Sequence, residues 1–158
     1  MNFFTLFNLL EQFDLDLKTL EQRYFELQKE FHPDRVKGKT EPERLLLVRK
    51  SADINQGYRT LKNKVSRVEH LLEIKNIFVT REQNNTYKPS QKTLMLQLEF
   101  SERIEDESED KEKIKLEVKE LLNNAFNNFN KYYIEGAFEQ AASEYFLIKF
   151  LSKVGNRS

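Results

Sequence analysis

The sequence predicts an all-α protein: an antiparallel helical hairpin with two short helices, followed by a three-helix bundle. Three observations carry this. Charged residues make up 33% of the 158 and aromatics 12%, against four glycines and three prolines. Sheets and long loops need more turn residues than that. Apolar residues recur at steps of three and four through most of the chain, the period of an amphipathic helix. That period fails over residues 76–90, a stretch too long for an ordinary connection within a compact domain. Residues 1–75 and 91–158 are therefore expected to form separate domains, with 76–90 as a linker in which Ile77, Phe78, Val79 and Tyr87 can dock against a core.

The elements follow in order. Phe3, Phe4, Leu6, Phe7 and Leu10 form an apolar opening of one or two helical turns. Asp16 is placed to cap a helix whose Leu17, Leu20, Tyr24, Leu27 and Phe31 lie on one face. That helix should stop at His32, because Pro33 disfavours α geometry in the residue before it. After a polar loop, Thr40 can cap the next helix, with Pro42 in its first turn and Glu43 at the capping-box position. This helix runs to about Leu61 and offers two apolar rows, Leu45/Val48/Ala52 and Ile54/Tyr58/Leu61. A short helix covers about Ser66 to Ile74. In the second domain, a helix begins at about Gln91 with Leu94 and Leu98 on one stripe and Met95 beside it. Another spans about Glu109 to Tyr133, with Ile114, Val118, Leu121, Ala125, Phe129 and Tyr132 at helical spacing. Gly136 is a stop signal. The last helix carries Phe138, Ala141, Ala142, Tyr145 and Ile148 inward.

Composition excludes several functions. Without cysteine there are no disulfides, thiolate metal sites or cysteine nucleophiles. No apolar run approaches the roughly 20 residues of a membrane span. The opening residues lack a basic n-region and read as neither a signal nor a transit peptide, which fits a cytoplasmic location. Formal net charge is zero, yet residues 23–67 hold twelve Lys/Arg and six Asp/Glu, while 99–112 hold eight Asp/Glu and two Lys/Arg. Such a split describes either two surfaces for two partners or simply solvated helix faces.

The remaining chemistry centres on His32-Pro33-Asp34, in the loop between the two hairpin helices. His32 and Asp34 invite an acid–base reading. No nucleophile elbow, phosphate-cradling glycine loop or metal-spaced His/carboxylate set accompanies them. Asp106, Glu107, Glu109 and Asp110 lack the glycine of a calcium loop. The basic residues of 23–67 could meet phosphates, but zero net charge and the interleaved Asp34, Glu41 and Glu43 weaken a nucleic-acid footprint. The alternative for the tripeptide is a docking loop for a protein.

A helical hairpin with this tripeptide in its loop resembles the J domain, whose four-helix layout residues 1–75 follow. Three stretches sharpen the match: Phe3-Phe4-Thr5-Leu6-Phe7, Ser51 to Leu61, and Arg67-x-Glu69-x-Leu71-Leu72. Together with Leu94 to Phe100 and Glu102 they resemble the HscB family, J-type co-chaperones of iron–sulfur cluster assembly. The family often has Gly-Leu-Pro where this chain has Asn8-Leu9-Leu10. The resemblance implies two partners, a DnaK-type chaperone ATPase (HscA-like) and an iron–sulfur scaffold (IscU-like), with no catalysis by the chain itself; the missing ligand sets, the charge balance and the short apolar runs lead to an expectation of no cofactor, no metal, no nucleic acid and no membrane.

It also implies roles. His32, Pro33 and Asp34 would dock on the ATPase, with Asp34 as the key anion and Arg23, Lys29 and Arg35 supplying steering charge. Leu94, Met95, Leu98 and Phe150 would form the apolar part of a scaffold-binding surface, and Glu99, Glu102 and Asp106 the acidic part. Leu94 and Leu98 are equally suited by spacing to the bundle core, and a general J protein with a different client remains an alternative.

Overall fold

The computed structural model describes residues 1–80 and 87–156, and every regular element among them is helical. Residues 81–86 of the expected linker, and the last two residues, lie outside the described residues. The elements are α1 Phe3–Leu6, α2 Leu17–Glu30, a 3₁₀ turn Pro33–Val36, α3 Glu41–Lys62, α4 Lys64–Ile74, α5 Gln91–Glu105, α6 Lys111–Ile134 and α7 Phe138–Gly155. The chain divides into two compact units, Met1–Ile74 and Lys75–Ser158. Ile77 and Val79 are buried and belong to the second unit.

In the first unit, local caps fix the helix starts. Asn2 accepts hydrogen bonds from the Phe4 and Thr5 amides, Asp16 from Lys18, and Thr40 from Glu43. The Glu43 amide bond is one side of the expected box, and the Thr40 hydroxyl also donates to the Glu43 carboxylate at 3.1 Å. Asn63 accepts from Val65 and Ser66, so α4 begins at Lys64, two residues before its apolar pattern indicates. Helix α2 ends at Glu30 rather than His32: Phe31 is its cap, and His32 is already extended. Asn8 ends α1 with φ +54°, a left-handed conformation that asparagine tolerates better than most side chains.

The core of this unit gathers Phe4, Phe7, Leu20, Ile54, Leu61, Val68, Leu71 and Leu72. Gly57 lets α1 press onto α3. A Cβ there would lie 2.8 Å from Phe3 Cδ1 and 3.0 Å from Phe7 Cε2, both on buried rings. Of the two apolar rows expected on α3, only the second is used. Leu47, Ile54, Gly57 and Leu61 are buried, whereas Leu45, Val48 and Ala52 face solvent. Leu17 is also exposed, and Leu20 is the buried residue of α2.

Two polar residues sit inside this core. The Arg67 guanidinium donates to the carbonyls of Leu61 and Phe13, each at 2.8 Å, and lies over the Phe13 ring. It thereby closes the end of α3 and ties down the segment leading to α2, so it cannot serve as a surface phosphate contact. His70 accepts the Phe3 amide at Nε2, 3.0 Å away, and stacks on Phe3 and Phe4. Burial, the largest influence, holds its imidazole below the ordinary pKa of 6.5; Glu73 and Glu11 pull the other way.

The second unit is an up-down-up bundle in which α6 and α7 share the longest face. Gly136, at φ +76°, ends α6 as expected, and the Ala137 amide returns to the Tyr132 carbonyl at 2.8 Å. Helix α6 begins at Lys111 because Asp110 caps it through the Glu112 amide. Its buried residues are Ile114, Val118, Ala125, Phe126, Phe129 and Tyr133. Tyr132, expected inward, is half-buried beside Tyr133. Helix α7 buries Ala141, Ala142, Tyr145, Leu147, Ile148, Leu151 and Val154. Helix α5 contributes Thr93 and Phe100 to the interior.

Two outcomes are expected. Gly57→Ala should destabilise the first unit by about 1–3 kcal/mol, the usual cost of overpacking, read as a lowered thermal midpoint. For His70, the folded state favours the neutral ring. Its contribution is therefore complete above the unfolded pKa of about 6.5 and declines as pH falls below it. The thermal midpoint should drop as pH falls below about 6.5, and His70→Gln, which keeps an acceptor without titrating, should flatten that drop.

Candidate functional site

The tripeptide is built by a short chain of local causes. Pro33 lacks an amide hydrogen and has a restricted φ, so it cannot extend α2 and instead opens the 3₁₀ turn at its first position. His32 caps that turn: its Nδ1 accepts the Asp34 amide at 3.1 Å. An imidazole accepting at Nδ1 carries its hydrogen on Nε2. The Asp34 carboxylate lies 3.3 Å from the same Nδ1, but its side chain is 91% exposed. It forms no ion pair with a lysine or arginine among the described residues.

An open groove beside the turn is lined by Phe25, Gln28, Lys29, His32, Asp34 and Arg35. The structure thus brings Lys29 and Arg35 to the tripeptide. Arg23 is placed elsewhere, with its guanidinium donating to the carbonyls of Phe7 and Asn8, each at 3.2 Å. It holds the end of α1, roughly 12 Å along α2 from Phe31 at 1.5 Å per residue. Phe25 and Gln28 were not singled out from sequence. Phe25 has a signal there: it is aromatic, yet stands off the Leu20/Tyr24/Leu27/Phe31 stripe, and it is half-exposed. Lys50 of α3 also reaches this end, 5.5 Å from the Phe31 ring centroid.

The groove's walls are held together by the hairpin itself. Tyr24 of α2 stacks on Tyr58 of α3 at 4.0 Å between centroids. The Tyr24 hydroxyl donates to Asn55 Oδ1 at 2.8 Å, and Gln28 Nε2 donates to the Tyr24 hydroxyl at 2.6 Å.

In the second unit, α5 turns its apolar stripe outward. Leu94 is 53%, Met95 64% and Leu98 64% exposed, so these side chains are not bundle core. Leu94, Leu98 and Glu102 follow one another at steps of four, with Met95 and Glu99 alongside, so one helix face passes from apolar to acidic. Glu99 belongs also to a charge cluster around Arg103, which pairs with Glu99 at 3.9 Å, Glu109 at 3.2 Å and Glu117. These carboxylates raise the Arg103 pKa, Glu117 first, and the Arg103 hydrogen bond holds Glu117 below the usual carboxylate range. Asp106 is occupied locally. It caps α5, and its carboxylate accepts from the Ser108 hydroxyl and amide, which lower its pKa. Lys111 closes the same end through the carbonyls of Ile104 and Asp106.

Phe150 lies half-buried on α7. Helices α5 and α7 run in the same direction, each opposed to α6. Burial raises the Glu144 pKa, and Lys92 is near enough for its charge to oppose that rise. Of the carboxylates of 99–112, Glu99, Glu109 and Glu112 form ion pairs and Asp106 and Asp110 sit at helix ends, and among the described residues no group of three or more His, Cys, Asp or Glu is arranged to hold a metal ion. No described helix is long and apolar enough to cross a membrane.

Comparison with known proteins agrees with both halves of this picture. A family described as the HSCB C-terminal oligomerisation domain matches residues 89–157. A co-chaperone protein HscB homolog of Pseudoalteromonas atlantica is 35% identical over 98% of this chain and 92% of its own length. One from Shewanella frigidimarina is 43% identical over 67% of this chain, a match that spans 60% of that relative. The solved structure of chaperone HscB from Vibrio cholerae superposes with a TM-score of 0.83 at 29% identity, covering 99% of this chain and 94% of that one. A J-type hairpin followed by a helical bundle, together with sequence identity along nearly its whole length, shows that the chain belongs to the HscB family of co-chaperones of iron–sulfur cluster assembly.

Proposed function

We propose that this protein is a two-ended adaptor. Its first unit, the J domain of about residues 1–75, docks the tripeptide loop on the ATPase of a DnaK-type, HscA-like chaperone and promotes ATP hydrolysis there. Its second, residues 91–158, carries an IscU-like iron–sulfur scaffold on the outward face of α5 and delivers it to that chaperone. The chain itself catalyses nothing. The observation that carries this reading is Asp34: a carboxylate almost wholly in solvent on a turn whose backbone is fixed by Pro33 and the His32 cap.

A stiff loop loses less conformational freedom on docking than a flexible one. Lys29 and Arg35 flank the anion and steer encounter, with an influence that fades beyond a Debye length of about 8 Å at physiological salt. On α5, exposed Leu94, Met95 and Leu98 offer an apolar patch suited to a transient protein partner, and methionine adapts to partner shape. Glu99 and Glu102 extend it as a charged rim. Asp106 supports this face by ending the helix, and half-buried Phe150 of α7 would add an aromatic to it. Arg23 acts on the first unit's structure.

Asp34→Asn should abolish stimulation of chaperone ATPase while leaving scaffold binding and thermal stability unchanged; full stimulation by this variant would overturn the docking assignment. Met95→Ala with Leu98→Ala should weaken scaffold binding roughly 10- to 100-fold by calorimetric titration, as for truncation of central anchors, without affecting ATPase stimulation in the scaffold's absence. Unchanged affinity in this folded variant would move the client to another surface.

A further inference from the structure

One aromatic residue of α2 lies off the face that holds the hairpin together. At roughly 100° per residue, Phe25 stands about 140° around the helix from Leu20, the residue α2 buries. It is 50% exposed. Its ring lies 5.7 Å from that of Tyr24 and is tilted by 54°, whereas Tyr24 stacks inward on Tyr58. Tyr24 secures the seam between α2 and α3, and Phe25 is left outside it. An aromatic ring kept half in water, among polar groups, has the makeup of a contact centre rather than of a core.

Its neighbours specify what could cover it. Phe25, Gln28, Lys29 and His32 follow at steps of three, one and three, so one face of α2 runs into the tripeptide. The groove there also takes in Asp34 and Arg35. Phe25 is five residues before the end of α2, roughly 8 Å along its axis. Exposed Glu21 stands one turn before it and exposed Lys29 one turn after. The ring is thus an apolar spot bordered by both signs of charge. A nucleic-acid backbone or an anionic membrane, each of one sign, does not match that alternation. A folded protein surface with an apolar side chain between charges of both signs does.

We propose that Phe25 is the apolar anchor of the docking contact, matched by an apolar side chain on the ATPase beside the cation that receives Asp34. This rests on the docking reading above and adds a requirement to it. Charged groups steer the approach but weaken in salt. A ring closing on an apolar side chain excludes water from the centre of the contact and is not screened. A chaperone with a charged or polar group at that place would leave it desolvated beneath the ring, so Phe25 also selects among ATPases.

Phe25→Gln and Phe25→Leu test it, in the full chain with a purified HscA-like chaperone. Both variants should keep the wild-type thermal midpoint. In titrations of ATPase stimulation, Phe25→Gln should raise the half-saturating concentration roughly tenfold, about 1.4 kcal/mol, and still reach the wild-type maximum at saturation. Phe25→Leu should recover most of that loss. The loss should be equal at about 0.05 M and about 0.3 M salt, as expected of an uncharged contact. An unchanged half-saturating concentration in Phe25→Gln overturns the proposal. So does a lowered thermal midpoint in that variant, which would give the ring a structural role. So does a loss that Phe25→Leu fails to recover, or one that fades at the higher salt. Wild-type self-association in sedimentation velocity that Phe25→Gln abolishes would assign the ring to a second copy, and overturns it too. Asp34→Asn separates this proposal from the reading beneath it. Stimulation kept by that variant sinks the docking itself, whereas its loss beside an unaffected Phe25→Gln removes only the anchor.

Discussion

The tripeptide's geometry depends on the clamp between α2 and α3. Helix α2 commits one fully buried apolar residue, Leu20, to the core, so the hairpin seam is thin for two helices of 14 and 22 residues. Stacking of Tyr24 on Tyr58, and the bonds joining Tyr24, Gln28 and Asn55, make up that deficit across the middle of the hairpin. Half-buried amide and phenol groups bonded to one another have few alternative arrangements, so they define register more sharply than aliphatic packing does. A slip of α2 against α3 would break all of them. The loop beyond can then be short, stiff and exposed without wandering.

The bundle solves a related problem by other means. Helix α5 gives only Thr93 and Phe100 to the interior, and its apolar outer face offers nothing to stability in the free protein. Polar ties at its two ends compensate. Ser90 caps the start through the Thr93 amide. At the other end Arg103 joins α5 to the following loop and to α6, and Lys111 satisfies carbonyls the helix leaves open. Exposed ion pairs contribute little singly, but several carboxylates sharing one guanidinium fix its position. A helix held at both ends can present leucines and a methionine to solvent without depending on them.

Much of this was legible in local sequence signals. The Asp16 and Thr40 caps, Pro42 in a first turn, the Gly136 stop and the outward tripeptide each depend on neighbours within four residues. What stayed hidden depends on distance along the chain. Nothing near Arg67 or His70 in sequence signals their burial, because the acceptor and donor that satisfy them, Phe13 and Phe3, come from 54 and 67 positions away. Period alone could not choose between the two apolar rows of α3, nor decide whether Leu94 and Leu98 faced the bundle, because both faces of a helix repeat at the same spacing. Arg23 and Asp106 show the same limit for charges. The family resemblance put them among binding groups, and in the structure nearby carbonyls engage Arg23 and a serine turn engages Asp106.

These particulars explain why function and stability separate in this molecule. Asp34 is solvated, and its carboxylate forms no ion pair with a lysine or arginine among the described residues, so folding gains little from its charge and does not bear its desolvation. On the docking proposed above, that cost would arise as water leaves the carboxylate, and a partner cation would have to offset it with a close, bonded geometry. A partner without such a cation would leave a buried, unpaired charge, which costs several kcal/mol. The exposed anion is therefore as much a barrier against wrong partners as an attraction toward the right one. The same holds more softly on α5, where Glu99 and Glu102 beside Leu98 disfavour any apolar partner that lacks basic groups to meet them.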